Sequence, residues 1–152
     1  MKKLLIAVLL ALIGLLGAYA LGFVGEAMIS SNIKYDVPKE YEAFTPKEYG
    51  AKGVKYFRKS KDEDVGCGAI SLAVCKVEDS KASYDEVAEM FTEVTKEKGG
   101  TYAYYVNPEG TTYMGKLFTG RFEITVSLQE DKKITKEQKA AVESFLKSVQ
   151  LR

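Results

Sequence analysis

Histidine and tryptophan are absent from this chain of 152 residues, cysteine occurs twice and proline three times. Without histidine there is no Ser-His-Asp catalysis, and both the commonest general base and the commonest transition-metal ligand are missing. Two cysteines without histidine make a poor metal site. Clusters of lysine and arginine are lacking too. Removing Lys2 and Lys3 from the 22 basic residues leaves 20 against 21 acidic ones, a net of −1 for the remainder. Such a balance gives no electrostatic reason to bind nucleic acid. No phosphate-cradling loop or dinucleotide fingerprint occurs, so no cofactor is expected.

Charge is also absent from one long stretch. Lys2-Lys3 is followed by 21 uncharged residues, Leu4 to Val24. A helix of that length extends about 31 Å, close to the hydrocarbon core of a bilayer. Residues 1–24 are therefore expected to be a signal peptide or a membrane anchor. In the first case Leu4–Gly17 is the apolar region and Ala18-Tyr19-Ala20 the cleavage site. In the second the run stays in the membrane, which its continuation through Leu21, Phe23 and Val24 favours. Either way the basic end stays cytoplasmic and the rest crosses. No cysteine near the end of the run offers a lipid-attachment site.

Residues 25–50 look like a tether, with polar Ser30-Ser31-Asn32 and the breakers Pro38 and Pro46. Pro-Lys-Glu-Tyr occurs twice there, at 38–41 and 46–49, and suggests two short helical turns. Residues 51–152 carry the globular pattern. Val54–Lys59 reads as a strand, followed by a charged turn at Lys61–Asp64. Val65–Val77 alternates: Ile70, Leu72 and Val74 point one way, Ala69, Ser71, Ala73 and Cys75 the other. Both faces are uncharged, which implies a central strand covered on both sides. Its small-residue face would let a helix or another backbone approach closely.

Ser83-Tyr84-Asp85-Glu86 has the form of a capping box, with Tyr84, Val87, Ala88, Phe91 and Val94 at helical spacing behind it. This predicts a helix over about 84–98, ended by Gly99-Gly100. Thr101–Asn107 reads as a strand and Asn107–Gly110 as a turn. Thr111–Phe118 and Arg121–Gln129 are the next strands. Thr119-Gly120 reverses the chain between them, and Gly115 is a candidate bulge. Thr135-Lys136-Glu137-Gln138 is a second capping box, opening a helix with Ala141, Val142, Phe145, Leu146 and Val149 on one face. The order is β-β-α-β-β-β-α. It predicts an α+β domain with an antiparallel sheet and two packed helices in one layer.

The capped helix, the Tyr-rich strand, the meander TTYMGKLFTGRFEITVSLQ and the closing EQKAAVESFLKSVQL, with its Ser-Phe, together resemble the PsbP-like superfamily. The match covers about 70 residues of the C-terminal half. The resemblance implies an α-β-α sandwich in an exported or lipid-anchored accessory or binding protein, and it transfers no functional residue. Cystatin-like and ferredoxin-like α+β sheets share the same order of elements.

Candidate chemistry is sparse. Tyr102, Tyr104 and Tyr105 lie on one strand and Tyr113 on the next; they are either a binding surface or core packing. Cys67 and Cys75 in an exported chain suggest a disulfide. Eight residues of straight strand span about 26 Å, however, and bridged Cα atoms lie within ~7 Å. A bridge needs Gly66-Cys67-Gly68 to fold back; otherwise the thiols are expected to be buried and inert. The acidic pairs and triplets Asp62-Glu63-Asp64, Asp85-Glu86 and Glu130-Asp131 fit solvated turns, and none has the calcium-loop pattern.

The expectation is a non-enzymatic extracytoplasmic domain. It is held to the membrane through residues 4–24, or secreted if cut after Ala20, and binds a protein partner or a small ligand. The alternatives are an exported hydrolase using carboxylates and a self-associating component of the cell envelope.

Overall fold

A computed structural model of the chain describes residues 29, 31–97 and 99–152. The expected membrane segment lies outside the described residues. Among the described residues no helix is long and apolar enough to cross a membrane.

The fold is α+β. Seven strands form one sheet in the order β2-β3-β4-β8-β7-β6-β5, with every ladder antiparallel. They are β2 (Glu42–Phe44), β3 (Lys55–Arg58), β4 (Ile70–Lys76), β5 (Glu93–Glu97), β6 (Gly100–Val106), β7 (Thr112–Thr119) and β8 (Phe122–Gln129). A separate two-stranded ladder joins β1 (Ile33–Lys34) to β9 (Gln150–Leu151). Helix α1 spans Ser80–Val87 and helix α2 Lys136–Ser148, and Ile29, Ser31 and Asn32 are also helical. Six of the seven expected elements are present, the helix read over 84–98 is so only in its first turn, and β1, β2, β5 and β9 are additional.

Alternation decides the centre of the sheet. Ile70, Leu72 and Val74 on β4 and Ile124, Val126 and Leu128 on β8 are buried toward α2. Helix α2 opens with the expected capping box at Thr135 and Gln138 and buries Val142, Phe145 and Leu146. Each such side chain contributes about 1.5–3 kcal/mol on leaving water. Phe145 stands edge-on to Phe57, with ring centroids 5.1 Å apart.

The two helices do not share a layer. Tyr113, Leu117 and Gly115 on β7 face α2, whereas Phe118 faces the other way and packs against Tyr84 of α1 at 5.4 Å. Strand β7 is buried on both faces, with Lys116 the one charged side chain on the face toward α1.

The predicted helix 84–98 is the main correction. Its cap is Asp79, which accepts from the Lys81 N–H at 3.0 Å; the Ser83 N–H already bonds to the Asp79 carbonyl inside the helix. Helix α1 ends at Val87 and a 3-10 turn follows over Ala88–Met90. Residues Glu93–Glu97 then form edge strand β5 against β6. β-Branched Val94 and Thr95 suit a strand, and pairing with β6 satisfies the backbone there. Gly99, at φ 84, turns the hairpin instead of ending a helix.

The stretch read as a tether is folded onto the domain in its described part. Ile29 and Ile33 sit in the core, and β2 borders the sheet. The two Pro-Lys-Glu-Tyr repeats form no helical turns. Pro38–Tyr41 is a β-turn with Glu40 at φ 72, and Tyr49 stands at φ 60. Gly115 is no bulge either: it pairs in register with Tyr104 and Val126.

Candidate functional site

The tyrosines singled out from the sequence divide between the two faces of the sheet. Tyr102, Tyr104 and Tyr113 are buried under α2. The rings of Tyr104 and Tyr113 stack at 5.9 Å, 6° from parallel. The Tyr113 hydroxyl donates to Glu143 Oε1 at 2.6 Å, and Lys139 lies 5.6 Å from the Tyr113 ring centre. Tyr104 is 3% exposed, and its buried hydroxyl makes no hydrogen bond within the described residues. Burial, and then the hydrogen bond to Glu143, hold the Tyr113 phenol far above its ordinary range. Burial, and then the charge of Glu143, do the same for Tyr104. These three are core residues. Tyr105 alone lies on the other face, half-buried and opposite Met114.

That other face is organised in rows by the strand register. One row runs Phe44, Tyr56, Ser71, Ser127, Met114, Tyr105. The next runs Ala73, Thr125, Lys116, Ala103. Side chains on the two central strands, β4 and β8, are short, and Ser71, Ala73, Thr125 and Ser127 are only half-buried. The Ser71 and Ser127 hydroxyls share a hydrogen bond of 2.7 Å. One wall is Tyr56 with the Arg58 guanidinium over the Phe44 ring at 4.5 Å. The other is Met114 and Lys116 on β7, beside α1. Three strand spacings separate β3 from β7, so the trough is about 14 Å wide, enough for a helix of ~10–12 Å.

The trough contains a buried ion pair. Lys116 Nζ bonds to Glu123 Oε1 across β7 and β8, with side chains 8% and 18% exposed. Glu123 also faces Cys75 on β4. Burial first, then the Glu123 charge, pushes the Cys75 thiol up, while Lys116 opposes. A raised thiol holds little thiolate and is a poor nucleophile. The hairpin that joins these strands was expected from Thr119-Gly120, but the pair is diagonal to the register and its burial depends on what packs over that face.

The cysteines are not bridged. Cys67 is exposed and Cys75 half-buried, both free. Gly66 and Gly68 do turn the chain, at φ 82 and 90, but the turn pairs Cys67 with Asp64. Strand β4 then carries Cys75 away from it.

Two of the acidic clusters meet. A Cβ at Gly68 would stand 2.5 Å from Glu130 Oε1 and 3.3 Å from Glu63 Cγ. Glu63 accepts from the Lys59 N–H at 2.9 Å, and Glu130 accepts from Gln138 at 3.1 Å. Tyr41 is beside them: burial, then Glu63 and Glu130, push its phenol up to about 12. Asp85 and Glu86 are exposed on α1. Among the described residues no group of three or more acidic or cysteine side chains is placed to hold a metal ion.

No family model matches the chain, and no curated protein sequence matches it. Among solved structures, the fold is similar to that of cyanobacterial PsbP (CyanoP) from Synechocystis, at 13% identity and a TM-score of 0.44, covering 80% of this chain and 94% of that one. It is also similar to a protein from Bacteroides thetaiotaomicron, at 15% identity and a TM-score of 0.46. That match covers 79% of this chain and 45% of the other, so the chain spans under half of that protein's length. The likeness to PsbP is one of fold, and it brings no residue or activity with it.

Proposed function

We propose that the chain is a membrane-held extracytoplasmic binding module, without catalysis of its own, that docks a helix of a partner protein in the trough over β4 and β8. The observation that supports this is the pair of central strands bearing short, half-buried Ser71, Ala73, Thr125 and Ser127 between taller walls. An apolar-faced helix laid there would cover these residues and the rims of Tyr56 and Met114, as in helix-in-groove recognition. Residues 4–24 keep the module at the membrane by the length and apolarity of that run.

Filling the trough tests the reading. Ala73→Arg and Ser71→Tyr project from half-buried positions. Each should reduce capture of the partner from solubilised membranes by about tenfold or more, equivalent to ~1.4 kcal/mol. Glu109→Ala, in the β6–β7 turn, should leave capture unchanged. Equal capture by all three variants, with folding intact, removes the trough from the account.

One observation favours a second reading, an exported hydrolase: Glu63 and Glu130 approach one another around Gly68 beside Tyr41. Paired carboxylates can divide acid and base roles. Under this reading Glu130→Gln abolishes turnover of a hydrolysable substrate while leaving partner capture intact.

A further inference from the structure

We infer that the end of the domain formed by β1, β9 and the β7–β8 hairpin rests directly on the bilayer; this rests on the anchor reading of residues 4–24 proposed above. Reach is the first argument. The apolar run ends at Val24, and Ile29 is already fully buried in the core. Five Cα steps extend at most about 18 Å. Interfacial headgroups take up roughly 5–8 Å of that. A domain of this size has a radius of gyration of about 14 Å. The remaining chain is too short to let it stand clear of the surface.

The second argument is which end faces down. Ile33 pairs with Leu151 and Lys34 with Gln150, and the Arg152 N–H bonds to the Asn32 carbonyl at 2.9 Å. A Cβ at Gly120 would lie 3.9 Å from Leu151 Cδ1. Residues 32–34, β9 and the hairpin tip therefore form one end. Leu151 is 43% exposed there, with Lys34, Arg121 and Arg152 exposed around it. Glu78 and Asp79 also follow β4 at this end, and Asp79 is occupied in capping α1. An apolar side chain among long-stemmed cations suits the headgroup level. The leucine enters the acyl boundary, while the lysine and arginine stems lie along it and their charges reach phosphate.

The test uses the full chain in phosphatidylcholine–phosphatidylglycerol vesicles containing a headgroup-nitroxide lipid. In a Cys67→Ser, Cys75→Ser background, a fluorophore is placed at Arg121→Cys or at Glu109→Cys. Glu109 is exposed in the β6–β7 turn, at the other end of β7 and about 23 Å away along the strand. Quenching should be several-fold stronger at 121 than at 109, and Leu151→Asp, whose position is already exposed, should narrow the difference. Equal or stronger quenching at 109, in protein that floats with the vesicles, overturns the orientation and leaves the anchor standing. Protein that does not float overturns the anchor and the orientation with it.

Discussion

Tyr104 and Gly115 face one another across β6 and β7, and the tyrosine ring fills the space that a side chain at 115 would need. A Cβ there would stand 2.9 Å from Tyr104 Cε1 and 2.9 Å from Leu146 Cδ2. The glycine is thus what lets α2 and the tyrosine stack close over the sheet. Gly115→Ala should destabilise the domain by about 1–3 kcal/mol by overpacking. Urea unfolding followed by circular dichroism measures it, and a neutral result would mean that the helix is not seated there.

The Lys116–Glu123 pair gives a sharper test, because its two members are both largely withdrawn from water. Removing one partner leaves a buried charge, at a cost of about 3–5 kcal/mol; replacing both with apolar side chains of similar size is near neutral. Lys116→Met should therefore be strongly destabilised, and Lys116→Met with Glu123→Leu should recover most of the loss. An additive double variant would show that the pair is solvated.

Two substitutions distinguish the true start of α1 from the one suggested by sequence. Asp79→Ala removes the cap that accepts from Lys81 and should cost about 1 kcal/mol. Ser83→Ala, inside the helix, should cost almost nothing. The reverse order in thermal melts would restore the capping box at Ser83.

Stability should fall at alkaline pH. The ordinary phenol titrates near pH 10, and burial followed by acidic neighbours pushes Tyr41 up to about 12 and Tyr104 and Tyr113 further. Above pH 10 the unfolded chain holds fewer protons than the folded one, so the folded state loses ground as pH rises. The contribution is complete below pH 10 and is lost from there through about 12 and beyond. Tyr104→Phe removes a hydroxyl that has no partner among the described residues. It should keep or raise stability at neutral pH and flatten the alkaline decline in pH-dependent denaturant melts.

Much of the architecture was legible in the residue pattern. The alternation in Ile70–Val74 placed one central strand, although its Ser71 and Ala73 face is half-buried rather than covered. Phe122–Leu128 read as a strand with one wet face, yet it too is central and its Glu123 is largely withdrawn from water. Thr135 with Gln138 marked the start of α2. Tyr84, Val87, Ala88, Phe91 and Val94 misled, because their spacing fits a helix while only the first part forms one. Val94 is 39% exposed on an edge strand, held by hairpin pairing with Ala103, which helical spacing does not register. The tyrosines were assigned to the right strands. That Tyr102, Tyr104 and Tyr113 lie under a helix and Tyr105 does not depends on which face α2 covers.

By itself, the sequence determined the things that act locally or through composition: the uncharged run at the start, the strand alternation, the caps and turns, and the lack of histidine chemistry. The tertiary structure decided what depends on neighbours distant in the chain. It joined β4 to β8, so that Ser71 meets Ser127 and Cys75 faces Glu123, and it brought Glu63 to Glu130. Side-chain direction in a strand follows from its period of two, but partners follow from register, and register is settled only when the whole core is buried at once.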